Sequence, residues 1–338
     1  MSVTIKDIAQ QLGLSPSTVS RALSNNKNIN QATIKKVQKL AKELNYQKNN
    51  WASALRTKKT KMIGVIVPSL QNPFFAYTIS GIQEIAHEKG YRVMICQSNE
   101  DVNLESNQLN SLVSTGAEGI LMSITGQTES FDPIRELEES GIPVVFFDRA
   151  FKATKANQVE ADDFGAGHIA TKHLIQLGCK NILHLAGPSN LKNCINRKEG
   201  YLQALKDKNI PINDELIIDV GFESDRMPID IVKKILAIKP DVDGIFAVSD
   251  PIAIQTILYL KQLGKKVPED IKVIGFGNDS VGKVVEPNLS TVTQNPYDMG
   301  VEAMKLLMDI INSGARPKSV KQIYVDAELI VRGSTLKT

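Results

Sequence analysis

From Lys61 onward, short uninterrupted apolar runs alternate with amphipathic stretches, and this alternation constrains the fold more than any other feature of the chain. Met62–Val67, Tyr91–Cys96, Gly119–Met122, Val144–Phe147, Asn181–Leu185, Leu216–Val220, Gly244–Val248 and Lys272–Gly275 have the length and continuity of strands buried on both faces. Between them, Phe74–Lys89, Leu104–Ser114, Gly165–Leu177, Glu199–Lys208, Ile229–Ala237 and Pro251–Leu263 carry helical spacing. The pattern predicts parallel α/β sheets covered by helices on both sides. The body also repeats itself faintly. Ile63–Val67 leads to Pro68-Ser69, Asn72 and a helix containing Gly81, while Ile182–Ala186 leads to Pro188-Ser189-Asn190 and a helix containing Gly200. Two similar doubly wound halves would hold a ligand in the crevice outside their strand ends.

The first sixty residues are of another kind. Residues 1–61 carry ten lysines and two arginines against Asp7 and Glu43, a net charge of +10, which leaves −7 on the rest of the 338-residue chain. A basic head on an acidic body is the charge arrangement of a nucleic-acid reader. Thr4-x-x-Asp7 fits a capping box opening a helix with Ile5, Ile8, Ala9 and Leu12 on one face, and Gly13 can end it. Ser15 is then a second N-cap with Pro16 in the first helical turn, and Val19, Ala22 and Leu23 form the buried stripe. A third helix is expected from about Gln31 to Leu44, with Ile34, Val37, Ala41 and Leu44 facing inward. This is the pattern of a helix-turn-helix. Its second helix turns Ser17, Thr18, Ser20 and Arg21 outward, groups suited to phosphates and base edges in a major groove.

Other chemistries find little support. Three cysteines (Cys96, Cys179, Cys194) without a CxxC suggest neither a disulfide framework nor a zinc ribbon, and no apolar run approaches membrane-spanning length. Gly165-Ala-Gly167-x-x-Ala170 mimics a dinucleotide fingerprint, but no acidic residue lies on the following strand, and Gly275-x-Gly277 has Ser280 where the third glycine belongs. Both are expected to be turns packing helix against strand. His168 and His173 form no HExxH, His184 lies within an apolar strand, and neither a GxSxG nor a Walker loop occurs. No enzyme, cofactor or metal is expected, and the chain is expected to be cytoplasmic.

The series Thr4-Ile5-Lys6-Asp7-Ile8-Ala9, then Gly13-Leu14-Ser15-Pro16-Ser17-Thr18-Val19-Ser20-Arg21-Ala22-Leu23, resembles the N-terminal signature of LacI/GalR transcriptional regulators. The match continues through Asn45-Tyr46, Asn49, Ala52, Leu55 and Ile63-Gly64-Val65-Ile66-Val67-Pro68, and reappears at Val331-Arg332-Gly333-Ser334. The resemblance implies a helix-turn-helix head over 1–47, a hinge helix and linker over 48–60, and a periplasmic-binding-protein-like body over 61–338. The body would comprise two doubly wound parallel-sheet subdomains, one from about 61–160 and 292–320, the other from 161–291 and 321–334, with crossings near 160, 292 and 321.

It further implies a homodimeric, effector-controlled regulator, by family default a repressor, reading a roughly palindromic double-stranded operator. DNA contacts would come from Thr4, Ser15, Pro16, Ser17, Thr18, Ser20, Arg21, Asn28 and Tyr46, and from Asn49, Ala52 and Leu55 of the hinge, with Leu55 wedging into a minor-groove step. The effector, a sugar, sugar derivative or nucleobase-like molecule, would meet Asn72, Phe74, Asp148, Arg149, Arg197, Phe222 and Asp250. Phe74 fits either the cleft mouth or the core. The dimer face would lie around Gln71–Glu88 and Leu104–Ser114. The sequence departs from the family pattern at Lys48 (usually proline), Ser53 (often arginine), Ser249 (often asparagine) and Gly277 (usually aspartate), and Trp51 is bulky for a hinge helix.

Overall fold

The computed structural model describes residues 3–46, 60–150, 156–220, 236–237, 239, 241–314 and 319–336. The hinge residues Lys48, Asn49, Trp51, Ala52, Ser53 and Leu55, the expected effector residue Phe222, and nearly all of the expected helix Ile229–Ala237 lie outside them. The chain divides into two compact units, residues 1–60 and 61–338.

The head consists of α1 (Ile5–Leu12), α2 (Pro16–Leu23) and α3 (Gln31–Glu43). The Thr4 amide donates to Asp7 Oδ2 at 2.7 Å, and these bonds hold the Asp7 carboxyl below its usual range. Gly13 takes the left-handed conformation (φ 61°) and caps α1. Ser15 Oγ accepts the Thr18 amide at 3.1 Å and caps α2. Ile8, Ala9, Val19, Ala22, Ile34, Val37 and Ala41 form one buried core, the stripe that the helical spacing requires.

The second unit contains two six-stranded sheets. Its strands are β1 (Met62–Val67), β2 (Arg92–Gln97), β3 (Gly119–Met122), β4 (Val144–Phe147), β5 (Gln158–Ala161), β6 (Ile182–Ala186), β7 (Ile217–Asp219), β8 (Gly244–Ala247), β9 (Lys272–Phe276), β10 (Ser290–Thr293), β11 (Gln322–Val325) and β12 (Glu328–Ile330). Its helices are α4 (Pro73–Glu88), α5 (Val102–Ser114), α6 (Asp132–Glu139), α7 (Asp163–Gln176), α8 (Lys192–Asp207), α9 (Asp250–Gln262) and α10 (Pro296–Ser313). The first sheet runs β11-β5-β4-β3-β1-β2 and the second β12-β10-β9-β8-β6-β7, the same order twice. All pairings are parallel except that of β12 with β10.

Side chains alternate across the first sheet. Ile63, Val65, Leu121, Val145 and Phe147 face the core under α4 and α10, whereas Ile66, Ile120, Met122, Val144 and Phe146 face the core with Leu109, Leu112 and Ile134 of α5 and α6. Burial on both faces is why these strands read as continuous apolar runs.

Three crossings join the sheets, after Ala161, after Thr293 and between Val325 and Glu328. The last differs from the expected 321. Gln322–Val325 pairs in parallel with Gln158–Ala161, so this strand completes the first sheet and not the second. Likewise Val292 and Thr293, expected in the first half, finish β10 of the second sheet. The expected packing of glycines against strands is also corrected at Gly167. A Cβ there would lie 2.3 Å from the Arg197 carbonyl oxygen, so this glycine lets two helices, α7 and α8, approach closely.

Candidate functional site

A cleft of about 330 Å³ opens where the carboxyl ends of both sheets converge. Asn72, Phe74, Asp148, Arg149, Arg197 and Asp250 all line it, six of the seven expected effector residues. Asn72 caps α4, its Oδ1 accepting the Phe74 amide at 3.0 Å. Phe74 serves in both of its anticipated places: half-buried against the core of the first subdomain, it also lines the cleft. Asp148 and Arg149 follow β4. Asp148 adopts a left-handed conformation (φ 59°), rare for a residue with a side chain and a mark of a constrained site.

Arg197 points from α8 with its side chain almost wholly buried. Its Nε donates to Asp163 Oδ1 at 2.8 Å, its Nη1 donates to the Val248 carbonyl at 2.9 Å, and its guanidinium lies 3.6 Å from the Phe276 ring centroid. Burial pushes the Asp163 carboxyl up to about 7 despite Arg197 beside it.

Asp250, the first residue of α9, is equally enclosed. Its Oδ1 accepts the Thr291 hydroxyl and its Oδ2 the Asp279 amide, both at 2.6 Å, and burial raises it to about 6 against these bonds. A Cβ on Gly275 would lie 2.2 Å from Asp250 Oδ1, so the glycine in β9 creates the space that this carboxylate fills.

The first turn of α8 grips the opposite subdomain. Lys192 Nζ pairs with Glu160 Oε1 at 2.6 Å, the Lys192 amide donates to the Ala150 carbonyl at 3.2 Å, and Asn193 Nδ2 donates to Asp148 Oδ1 at 3.4 Å. Asn190 Nδ2 donates to the Gly126 carbonyl at 2.9 Å. These bonds bridge the two halves on one flank of the cleft.

Several lining residues were not anticipated: Asn193, Phe276, Asp279, Gln294 and Tyr297, with Asp163 behind Arg197. For Asp279 a signal existed. The resemblance wants an acid at 277, and an aspartate stands two residues later. Gly277, with φ 125°, opens the turn that carries Asp279 to Asp250.

In the head, Pro16, Ser17, Arg21 and Asn28 are exposed, and Thr18 and Ser20 are half-buried. Ser17 Oγ and Thr18 Oγ1 each lie 2.8 Å from Ser15 Oγ, so the cap residue organises the hydroxyls on this face. Thr4 serves as the cap of α1, and Tyr46 packs on the edge of the head core. The histidines are structural. His168 Nε2 lies 2.7 Å from Asp207 Oδ2, His173 Nε2 lies 3.0 Å from Thr335 Oγ1, and His184 is in the core. Among the described residues no helix is long and apolar enough to cross a membrane, and no group of side chains suits a metal ion.

A capped helix-turn-helix joined in one chain to a two-sheet body with a polar cleft defines a ligand-responsive DNA-binding regulator. Residues 4–49 match the family of bacterial regulatory proteins of the lacI type, and residues 60–329 match the periplasmic binding proteins and sugar-binding domain of the LacI family. The chain belongs to the LacI family of transcriptional regulators. It is 30% identical to the ribose operon repressor of Halalkalibacterium halodurans over 98% of this chain and 97% of that one. Among solved structures, a LacI family regulator from Enterococcus faecium with bound ribose is 27% identical, with a TM-score of 0.70 over 81% of this chain and 98% of that chain. The lac repressor dimer bound to operator and an anti-inducer shares the fold at a TM-score of 0.87 and 22% identity, over 99% of this chain and all of that chain. The chain is thus a DNA-binding regulator with an effector-binding body, and its relatives are regulators rather than enzymes.

Proposed function

We propose that this regulator is a cytoplasmic homodimeric repressor whose operator affinity is set by a sugar, sugar derivative or nucleobase-like effector in the cleft between its sheets. The observation that carries the reading is the convergence of Asn72, Phe74, Asp148, Arg149, Arg197 and Asp250, drawn from both halves, on one cavity. A ligand touching both halves binds their closed and open arrangements with different affinity, and only such a difference can shift the switch. The bonds from Asn190 and Lys192 across the flank are those an opening motion would break.

Ser17, Thr18, Ser20 and Arg21 would read the major groove. Thr4, Ser15, Pro16, Asn28 and Tyr46 would position the head, and Asn49, Ala52 and Leu55 would meet the minor groove. Phe222 would stack on the effector. The dimer face would lie on α4 and α5, around Gln71–Glu88 and Leu104–Ser114; Tyr77 is exposed there, and the neighbouring edge strand β2 exposes Met94 and Ile95.

Two substitutions test the two ends of this scheme. Arg21→Ala is expected to weaken specific operator binding by about 1–3 kcal/mol in a fluorescence-anisotropy titration; an unchanged operator affinity removes Arg21 from base reading. Asp250→Ala is expected to weaken the effector's action on operator binding by about tenfold or more while sparing DNA binding by the ligand-free protein. A normal response in that variant takes Asp250 out of the site. Sugars and nucleobases from a thermal-shift screen of the full chain supply the effectors, since a ligand of the folded state raises apparent stability.

A further inference from the structure

Each arginine of the cleft arrives with a carboxylate already beside it. Arg149 Nη1 donates to Glu100 Oε1 at 2.7 Å, and Arg197 Nε donates to Asp163 Oδ1 at 2.8 Å, both members of the second pair being almost fully buried. Oxyanions bind a guanidinium best through two parallel N–H bonds. On Arg197 such a pair must use Nε or Nη1 together with Nη2. Asp163 takes Nε, which blocks the pair that joins Nε to Nη2; the Val248 carbonyl takes one of the two N–H groups of Nη1, and Phe276 covers one face. Nη2 alone is left without a hydrogen bond among the described residues.

The remaining charge around the cleft has the same bias. Asp148 and Asp250 are buried in its wall, and Asp279 and Asp298 also line it, against Lys283 as the third basic residue. A phosphate or carboxylate brought into this site would meet a wall of carboxyl groups in a partly dry cavity, where those that are ionised repel it with little screening. A molecule rich in O–H or N–H donors would meet acceptors instead.

We propose that Asp163 is a positioning residue that sets the charge class of the effector: by taking Nε of Arg197 and opposing its charge, it makes the cleft select an uncharged, donor-rich molecule and reject phosphorylated and carboxylate-bearing ones. This rests on the cleft being the effector site. Asp163 also fixes the orientation of the guanidinium.

Calorimetric titration of the full-length protein with inorganic phosphate, ribose and ribose 5-phosphate tests the assignment. The unaltered protein is expected to bind phosphate no more tightly than about 10 mM, and to show no preference for ribose 5-phosphate over ribose. Asp163→Ala frees Nε of Arg197 and removes the counter-charge, and is expected to tighten phosphate binding about tenfold or more. Submillimolar phosphate binding by the unaltered protein, a preference for the phosphorylated sugar, or unchanged phosphate affinity in the variant each overturns the proposal. Urea unfolding of the variant reports whether its second unit has folded; if it has not, Asp163→Ser replaces it, and the titrations of the unaltered protein decide independently. A chain in which no small molecule changes operator affinity, but which discriminates against phosphate in this way, would lose the effector reading and keep the charge assignment.

Discussion

Replacing Gly300 with alanine is expected to destabilise the second unit by about 1–3 kcal/mol, the reverse of what alanine does in an exposed helix. In helix interiors alanine is favoured over glycine by about 1 kcal/mol, because glycine has more backbone freedom to lose. Gly300 lies inside α10 where that helix crosses α4. A Cβ there would be 2.0 Å from the Thr78 carbonyl oxygen and 3.1 Å from the Ile82 amide nitrogen. Gly81 makes the reciprocal approach, its Cβ position 2.2 Å from the Tyr297 carbonyl oxygen. Both obstacles are main chain, so no side chain can swing away and the helices must part. Their separation would loosen the core that Ile79, Ile82, Met299, Ala303 and Met304 share. The second subdomain repeats the device: Gly200 meets the Phe164 carbonyl oxygen at 2.2 Å and Gly167 meets the Arg197 carbonyl oxygen at 2.3 Å. Gly200→Ala is therefore expected to cost a similar amount. Urea unfolding measures both, and a Gly300→Ala midpoint at or above that of the unaltered protein would show that the helix pair is free to adjust.

The glycine crossings also show what could be read beforehand. Gly81 and Gly200 stood out in the faint internal repeat, and the close approach explains why the repeat has glycine at those places. Apolar periodicity exposed the strands because most are buried on both faces. It failed at β5, β10, β11 and β12, whose sequences QVEA, STVT, QIYV and ELI carry polar side chains. β11 and β12 are largely exposed strands at the sheet edges, whereas β5 and β10 bury polar residues with partners: Glu160 with Lys192, Thr291 with Asp250, Ser290 with the Ser334 hydroxyl and Arg332 carbonyl. A buried polar strand looks like a loop until its partners are known, and those partners are distant in the chain. The same holds for the cleft. Arg149, Arg197 and Asp250 were expected at the cleft only through the family resemblance, whereas Asp163, thirty-four residues from Arg197, belongs to no local pattern that links the two.

His184 is expected to make the protein acid-labile through a pH window well above that of ordinary carboxylates. The ring lies in β6, fully buried between Tyr201 and Phe246, with centroid separations of 5.1 and 4.7 Å and near-parallel planes. Nδ1 lies 3.0 Å from the Phe246 carbonyl oxygen, which requires the proton on Nδ1, and Nε2 has no hydrogen-bond partner among the described residues. Burial pushes the imidazole down to about 4; the Phe246 carbonyl opposes this, and the positive charges of Lys198 and Arg197 add to it. Below its ordinary value of 6.5 the unfolded chain takes up a proton that the folded chain refuses. Stability from this site is thus fully present above about 6.5 and falls away as the pH drops toward 4, by about 3 kcal/mol in all. Asp163 and Asp250 work in the opposite direction, since burial raises both and the folded state then holds protons more tightly than the unfolded one. The profile of the unaltered protein is their sum, and the comparison with His184→Phe isolates the histidine. Phenylalanine preserves the ring stack, loses one hydrogen bond worth about 1 kcal/mol, and cannot be protonated. At pH 7.5 the variant should be slightly the less stable of the two; near pH 4.5 the order should invert. Parallel stability profiles for the two proteins, from urea unfolding between these pH values, would mean that His184 is protonated as easily in the folded core as in the open chain.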